Sequence, residues 1–352
     1  MEGLTKVPKG KRVLLTGHTG FKGAWLALEL HSLGAEVHGF SLPEAPPAAY
    51  SALGVRSLLK SEKLGDLRDF DAFSAFYDSV EPELVLHLAA QSLVRESYKD
   101  PLGTVATNVQ GTAHVLEALR RAGGGAACVV VTSDKCYENR ESGQAYRETD
   151  PMGGHDLYSA SKGAAEIITA SYRSSFGLNV ASARAGNVIG GGDYAVDRIA
   201  PDCARALATG QVVRVRNPAS VRPWQHVLEP LSGYLALAER LLGPKSAEYR
   251  EGWNFGPGSA DTVTVGDFAK NFVAEWGSGK IETAVDPNAP HEAKLLHLDV
   301  EKARTRLGWQ PTWNAERAIR ETVEWYKKYE AGPKVVGSMR DFSLEQIKRF
   351  TT

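Results

Sequence analysis

At 352 residues the chain exceeds one compact core of ordinary size and suits a large α/β domain with a smaller one attached. Its 41 Lys and Arg against 42 Asp and Glu leave none of the basic excess of a nucleic-acid binder. The three cysteines, Cys128, Cys136 and Cys203, lack metal-ligand spacing and fit reduced thiols, and no apolar run has the length of a spanning helix; the expectation is a cytoplasmic enzyme with no metal and no membrane or nucleic-acid partner.

Arg12 to Thr16 reads as a first strand, followed by Gly17-His18-Thr19-Gly20-Phe21-Lys22-Gly23, which opens a helix through Trp25, Leu26, Leu28 and Leu30. Glycines at this spacing between strand and helix serve a tight turn, close approach of backbone to a pyrophosphate, and close packing of helix on strand. An ordinary turn is the alternative. Glu36 to Leu42 is the second strand. The position expected to carry an acid for the adenosine ribose, about 24 residues beyond Gly17, is Ser41, and no Arg follows directly to receive a 2′-phosphate. Pro43, Pro46 and Pro47 then force a loop. Gly65 to Asp69 resembles a third strand end, with Asp66 and Leu67 beside the adenine. Leu84 to Leu88 is a further strand, and the small Ala89-Ala90-Gln91 after it lets a flat cofactor lie on the backbone. Thr104 to Arg121 reads as one long helix with Asn108 facing inward among apolar residues.

Cys128 to Val131 is an apolar run without alternation, the pattern of a strand covered on both faces. Its carboxyl end carries Ser133, Asp134 and Lys135, where open α/β sheets bind ligands. After a polar loop, Asp156 caps a helix whose first turns hold Tyr158 and Lys162, four residues apart and on one face. An ammonium there favours the phenolate and lowers the Tyr pKa; a packed Tyr beside a solvated Lys is the bland alternative. Beyond Gly177, the strand Asn179 to Arg184 leads into a glycine-rich segment, Ala185 to Asp193. Pro201 to Thr209 reads as helix, Val212 to Arg216 as strand, and Arg222 offers a planar fork for a diphosphate. Trp253 to Phe255 is a short strand. Helices follow at Val265 to Trp276, Val300 to Leu307 and Ala315 to Tyr329, and the charged tail after Gly332 carries no signal. The Thr104 and Tyr158 helices are also candidates for a dimer face.

The segments GHTGFKG at 17–23, HLAAQSLVRESY at 87–98, TSDKCYEN at 132–139, RAGNVIGGGD at 184–193 and RNPASVRPWQHVLEPL at 216–231 together resemble the extended short-chain dehydrogenase/reductase family, in its nucleotide-sugar branch. The resemblance runs from residue 12 to about 330. Relatives that carry out 4,6-dehydration have Thr-Asp-Glu after the central strand, where this chain has Ser133-Asp134-Lys135. The fold implied is α/β, a Rossmann-type doubly wound parallel sheet with a smaller C-terminal substrate-binding domain. Residues 1–188 with about 226–256 would form the NAD-binding part, about 189–225 and 257–330 the sugar-nucleotide part, and 331–352 a tail.

The resemblance implies NAD as cofactor, held by residues 17–23, Ser41, Asp66, Leu67, Ala89, Ala90, Gln91, Tyr158 and Lys162. It implies CDP-glucose as substrate, held by Asn108, Arg184, Asn187, Arg198, Arg222, His226 and His291. Tyr158 would be the base at the 4-hydroxyl, Ser133 its hydrogen-bonding partner, Asp134 the acid for the departing 6-hydroxyl, and Lys135 the group at carbon 5. A homodimer or dimer of dimers is expected. A 4-epimerase or reductase on the same fold, or a non-catalytic NAD sensor, are the competing readings.

Overall fold

The computed structural model describes residues 9–140, 143–258, 261–284 and 296–352. The first half alternates strand and helix: β1 (Arg12–Thr16), α1 (Phe21–Ser32), β2 (Glu36–Ser41), α2 (Ala49–Leu53), β3 (Ser61–Leu64), α3 (Phe70–Val80) and β4 (Leu84–His87). Then come α4 (Val94–Lys99), α5 (Pro101–Val105), α6 (Gly111–Arg121), β5 (Ala127–Val131), α7 (Leu157–Phe176) and β6 (Val180–Arg184). The second half holds β7 (Val188–Ile189), α8 (Ile199–Ala208), β8 (Val213–Val215), β9 (Val221–Arg222), β10 (Gln225–His226), α9 (Leu228–Leu242) and β11 (Gly252–Asn254). It finishes with β12 (Val263–Thr264), α10 (Val265–Trp276), β13 (Ile281–Thr283), α11 (Ala315–Ala331) and α12 (Arg340–Thr351).

Seven strands form one parallel sheet in the order β11-β6-β5-β4-β1-β2-β3, the doubly wound arrangement expected. Alternate residues of each strand feed opposite cores. Val13, Leu15, Leu84, Leu86, Val129 and Val131 pack on the α1 and α9 side. Leu14, Val85, Cys128, Val130 and Val180 pack against Phe73, Val115 and Leu119 of α3 and α6. A sheet apolar on both faces must be covered by helices on both, and parallel crossovers supply them. Three two-stranded sheets, β7 with β10, β9 with β12 and β8 with β13, lie beyond the carboxyl edge.

Two expectations are corrected. The helix expected over Thr104–Arg121 begins three residues earlier, at Pro101, and widens into a π turn over Ala106–Gln110 where α5 runs into α6. The residues after Gly332 are not a featureless tail. α12 buries Ser343, Gln346, Ile347 and Phe350, a helical spacing, and its Phe350 ring meets Trp313 edge-on at 5.1 Å. Arg349 pairs with the buried Glu321 of α11 at 2.8 Å, and Arg340 donates to the carbonyls of Leu53 and Gly54. Among the described residues no helix is long and apolar enough to cross a membrane.

Within α1, Glu29 is buried among apolar neighbours and its Oε2 has no hydrogen-bond partner. Burial pushes its pKa from 4.5 up to about 8. Between those values the folded chain holds a proton that the unfolded chain has released, so stability falls as pH rises, by up to about 1.4 kcal/mol per unit. Glu29→Gln removes that titration. Its melting temperature is expected to match wild type near pH 5 and exceed it at pH 8, and parallel melting curves over that range would contradict the assignment.

Candidate active site

Beyond the carboxyl ends of β1, β2, β4, β5 and β6 runs a groove of about 1040 Å³. Its floor at one end is the turn from β1 into α1. Gly17 has φ +78° and lies so close to the β4 end that a Cβ there would stand 2.7 Å from the Ala89 nitrogen. A Cβ on Gly23 would stand 2.1 Å from the Gly17 carbonyl oxygen. The two glycines thus let the turn close tightly on itself and on β4. Gly20 caps α1 without a side-chain hydrogen bond, which leaves the first helical amides open to the groove. Thr19, Gly20, Phe21, Lys22, Ser41, Asp66, Leu67, Ala89, Ala90 and Gln91 all line it. Ser41 Oγ shares a 2.7 Å hydrogen bond with Thr19 Oγ1, and Asp66 is paired with Arg68. His18 is corrected: its ring is buried against Gly39, its Nε2 lies 2.8 Å from Glu62 Oε1, and it shapes the turn from beneath without lining the groove.

At the centre the β5 end and α7 meet. Asp156 caps α7 by accepting from the Ser159 amide at 2.9 Å, and Gly177 ends it with φ +66°. That register brings Tyr158 and Lys162 to the groove beside Ser133, Asp134 and Lys135. Ser133 Oγ donates to Asp134 Oδ1 at 2.9 Å and accepts from the Lys135 amide at 3.2 Å. Asn187, at φ +51°, donates from Nδ2 to Asp134 Oδ2 at 3.2 Å. Gly186 admits that carboxylate, since a Cβ there would fall 2.0 Å from it. Lys162 Nζ reaches the Val131 carbonyl at 3.3 Å, and burial lowers its pKa to about 8 against the pull of Cys136 and Glu166.

The expected downward shift of Tyr158 is reversed in the protein alone. Burial pushes the phenol up to about 12, although a hydrogen bond with Ser133 opposes it. Lys22 sits behind this cluster and donates to Tyr234 OH at 3.3 Å. Burial, then the charges of Lys162 and Arg198, bring its ammonium down to about 7.

Of the residues assigned to substrate, Asn187, Arg198 and Arg222 line the groove. Arg198 pairs with Asp193 at 3.0 Å and donates to Ser92 Oγ at 3.0 Å. Three others do not reach it. Arg184 is buried on the α7 side of the sheet, paired with Glu166 at 2.8 Å and donating to Tyr137 OH. Asn108 braces the loop after β4, accepting from the Gln91 amide at 2.8 Å and donating to Ser161 Oγ at 2.9 Å. His226 is fully buried between the rings of Trp25 and Trp313. His291 lies outside the described residues. Unassigned from sequence, Arg95, Lys99, Asp197, Arg214 and Arg216 also line the groove. Arg95 lies within the segment 87–98 and Arg216 opens the segment 216–231, but only the fold brings α4 together with β8, which carries Arg214 and leads into Arg216.

A CDP-glucose 4,6-dehydratase of Salmonella typhimurium is 47% identical over 335 residues, covering 92% of this chain and 92% of that protein. The UDP-glucose 4-epimerase of Thermus thermophilus, solved with NAD, superposes with a TM-score of 0.77 at 25% identity over 90% of this chain and 99% of that one. The dTDP-glucose 4,6-dehydratase of Streptomyces venezuelae, also solved with NAD, gives a TM-score of 0.76 at 24% identity, covering 91% and 98% of the two chains. The profile of GDP-mannose 4,6 dehydratase matches residues 14–322, and the chain belongs to that family of dehydratases.

Proposed function

We propose that the protein dehydrates CDP-glucose to CDP-4-dehydro-6-deoxyglucose with an NAD that it recycles. The observation that carries this reading is the groove cluster of Ser133, Asp134, Lys135, Tyr158 and Lys162, in a chain 47% identical to a CDP-glucose 4,6-dehydratase. The uncapped amides of α1 and the close glycine turn suit the diphosphate of a dinucleotide. When bound, NAD would accept a hydride from carbon 4 of the sugar and return it to carbon 6.

The chain's own groups handle the protons. Tyr158 takes the proton of the 4-hydroxyl, with Ser133 donating to the same oxygen and the ammonium of Lys162 favouring the phenolate. The resulting ketone makes the carbon 5 proton acidic, and Lys135 removes that proton or, if it stays charged, steadies the enolate while a bound water removes it. Asp134, held by Asn187 and released by Ser133 once that hydroxyl turns to the substrate oxygen, protonates the 6-hydroxyl so that it leaves as water. A proton returned to carbon 5 completes the product. An epimerase has no leaving group for Asp134 to protonate, which favours the dehydratase over that reading.

We read residues 1–188 with about 226–256 as the cofactor half and about 189–225 with 257–330 as the sugar-nucleotide half. We also propose a homodimer formed through α5 and α7, which present Leu102, Val105, Leu157 and Ile167 to solvent. We read the enzyme as cytoplasmic, a reading that its free cysteines support.

Incubation with NAD and each of CDP-, dTDP-, UDP- and GDP-glucose tests the function. The CDP sugar is expected to give the alkaline absorbance of a 4-keto-6-deoxy sugar, and a C4 epimer without that absorbance would overturn the proposal. Asp134→Asn and Lys135→Ala should divide the sequence of steps. Both are expected to oxidise carbon 4; the first should accumulate NADH with the 4-ketohexose, whereas the second should fail to exchange the carbon 5 hydrogen in deuterated water. Wild-type exchange by Lys135→Ala would remove Lys135 from the mechanism. Leu102→Asp should sediment as a monomer where the wild type is a dimer, and an unchanged sedimentation profile would rule out this face.

A further inference from the structure

Asp197 stands in the loop between β7 and α8 with φ +64°, a left-handed conformation that strains a non-glycine residue. Its carboxylate is not idle. Oδ1 accepts from Arg216 Nη1 of the segment after β8 at 2.6 Å and lies 3.4 Å from Arg95 Nη1 of α4. One oxygen thus joins the two walls of the groove. Burial alone would raise the carboxyl's pKa, but the hydrogen bond and charge of Arg216, with Arg95 and Lys99, hold it below its ordinary value.

The groove lining carries the cations Arg95, Lys99, Arg198, Arg214, Arg216 and Arg222, of which Lys99 is paired with Glu96 and Arg198 with Asp193, while Arg95 and Arg216 share Asp197. Guanidinium groups converging from separate elements make forks for phosphate oxygens. The contacts of Asp197 are also easily exchanged: its side chain is 37% exposed, with Arg95 at 30% and Arg216 at 33%. Ion pairs so open to water contribute little to stability. A doubly charged diphosphate competes well against one strained, hydrated carboxylate.

Resting on the sugar-nucleotide reading above, we propose that Asp197 stands in for the substrate diphosphate, holding Arg95 and Arg216 in place until the diphosphate displaces it. The arginines are then pre-aimed, while anions of lower charge are disfavoured because they must displace the carboxylate for less return. Asp197 is a positioning residue and a built-in competitor, not a ligand of the substrate.

Calorimetric titration of wild type, Asp197→Asn and Asp197→Gly with CDP, and with cytidine as the control lacking phosphate, tests this. Removing the competing charge is expected to tighten CDP binding about tenfold at low salt, with the gain shrinking in 1 M NaCl. Cytidine affinity should not move, and Asp197→Gly should also melt higher than wild type because the left-handed strain is relieved. Equal or weaker CDP binding by Asp197→Asn, or cytidine binding tightened as much as CDP, would overturn the proposal. If wild type binds CDP and the variant gains nothing, this inference alone fails. If neither binds any nucleoside diphosphate, the sugar-nucleotide reading fails and takes the inference with it.

Discussion

The buried carboxylate of Glu166 holds the active centre together. It lies on α7 one turn beyond Lys162, and it accepts hydrogen bonds from Thr132 at the end of β5, Ser182 of β6 and Arg184 of β6. Burial would neutralise it, but the facing Arg184 guanidinium keeps it ionised, with its pKa lowered. One anion therefore fixes the helix that carries Tyr158 and Lys162 to the strand end that carries Ser133 and Asp134. Breaking one side of such a pair leaves an uncompensated charge in the core, so the arrangement has little freedom to drift.

Around that fixed centre the groove divides by charge and shape. Towards β1 the walls are backbone: glycine turns, small residues after β4 and uncapped amides, suited to a flat cofactor and its diphosphate. Towards α4 and β8 the walls are long basic side chains, suited to a second diphosphate of another molecule. Lys22 lies where these regions meet, its charge opposed by Lys162 and Arg198 and supported by Asp134 and Asp193. Its ammonium is therefore close to losing its proton near neutrality, unlike an exposed lysine.

Most of the sheet was legible in the sequence because parallel strands are uninterrupted apolar runs and their turns are marked by glycine. The tripeptide after β5 and the Tyr158–Lys162 spacing located the centre for the same local reasons. Failures were of direction. Arg184 belongs with Val180 and Ser182 on one face of β6, and the strand period of two puts it under α7, not at the mouth of the groove. His226 was assigned to substrate only through the family resemblance of the segment 216–231, and its neighbours Trp25 and Trp313 come from distant segments no local pattern names. Asn108 was recognised as inward-facing, but the π turn that aims it at Gln91 has no sequence signature. The spacing of Ser343, Gln346, Ile347 and Phe350 was readable as a buried helical face, obscured by the charges between them.

That helix reaches further than its position suggests. Trp325 of α11 donates to Ser343 of α12 and presses on Gly191, where a Cβ would fall 2.0 Å from its ring. Trp25 donates to the Gly191 carbonyl, and Tyr326 OH donates to the Asp193 carbonyl. Asp193 in turn holds Arg198. The segment that shapes the groove is thus clamped from both ends of the chain, by Trp25 of α1 and by Trp325 and Tyr326 of α11, the last two made after every strand of the sheet. A nonsense change upstream of Arg340 takes Ser343 away from Trp325, so its expected consequence reaches the groove wall and is not the trimming of a dispensable appendage.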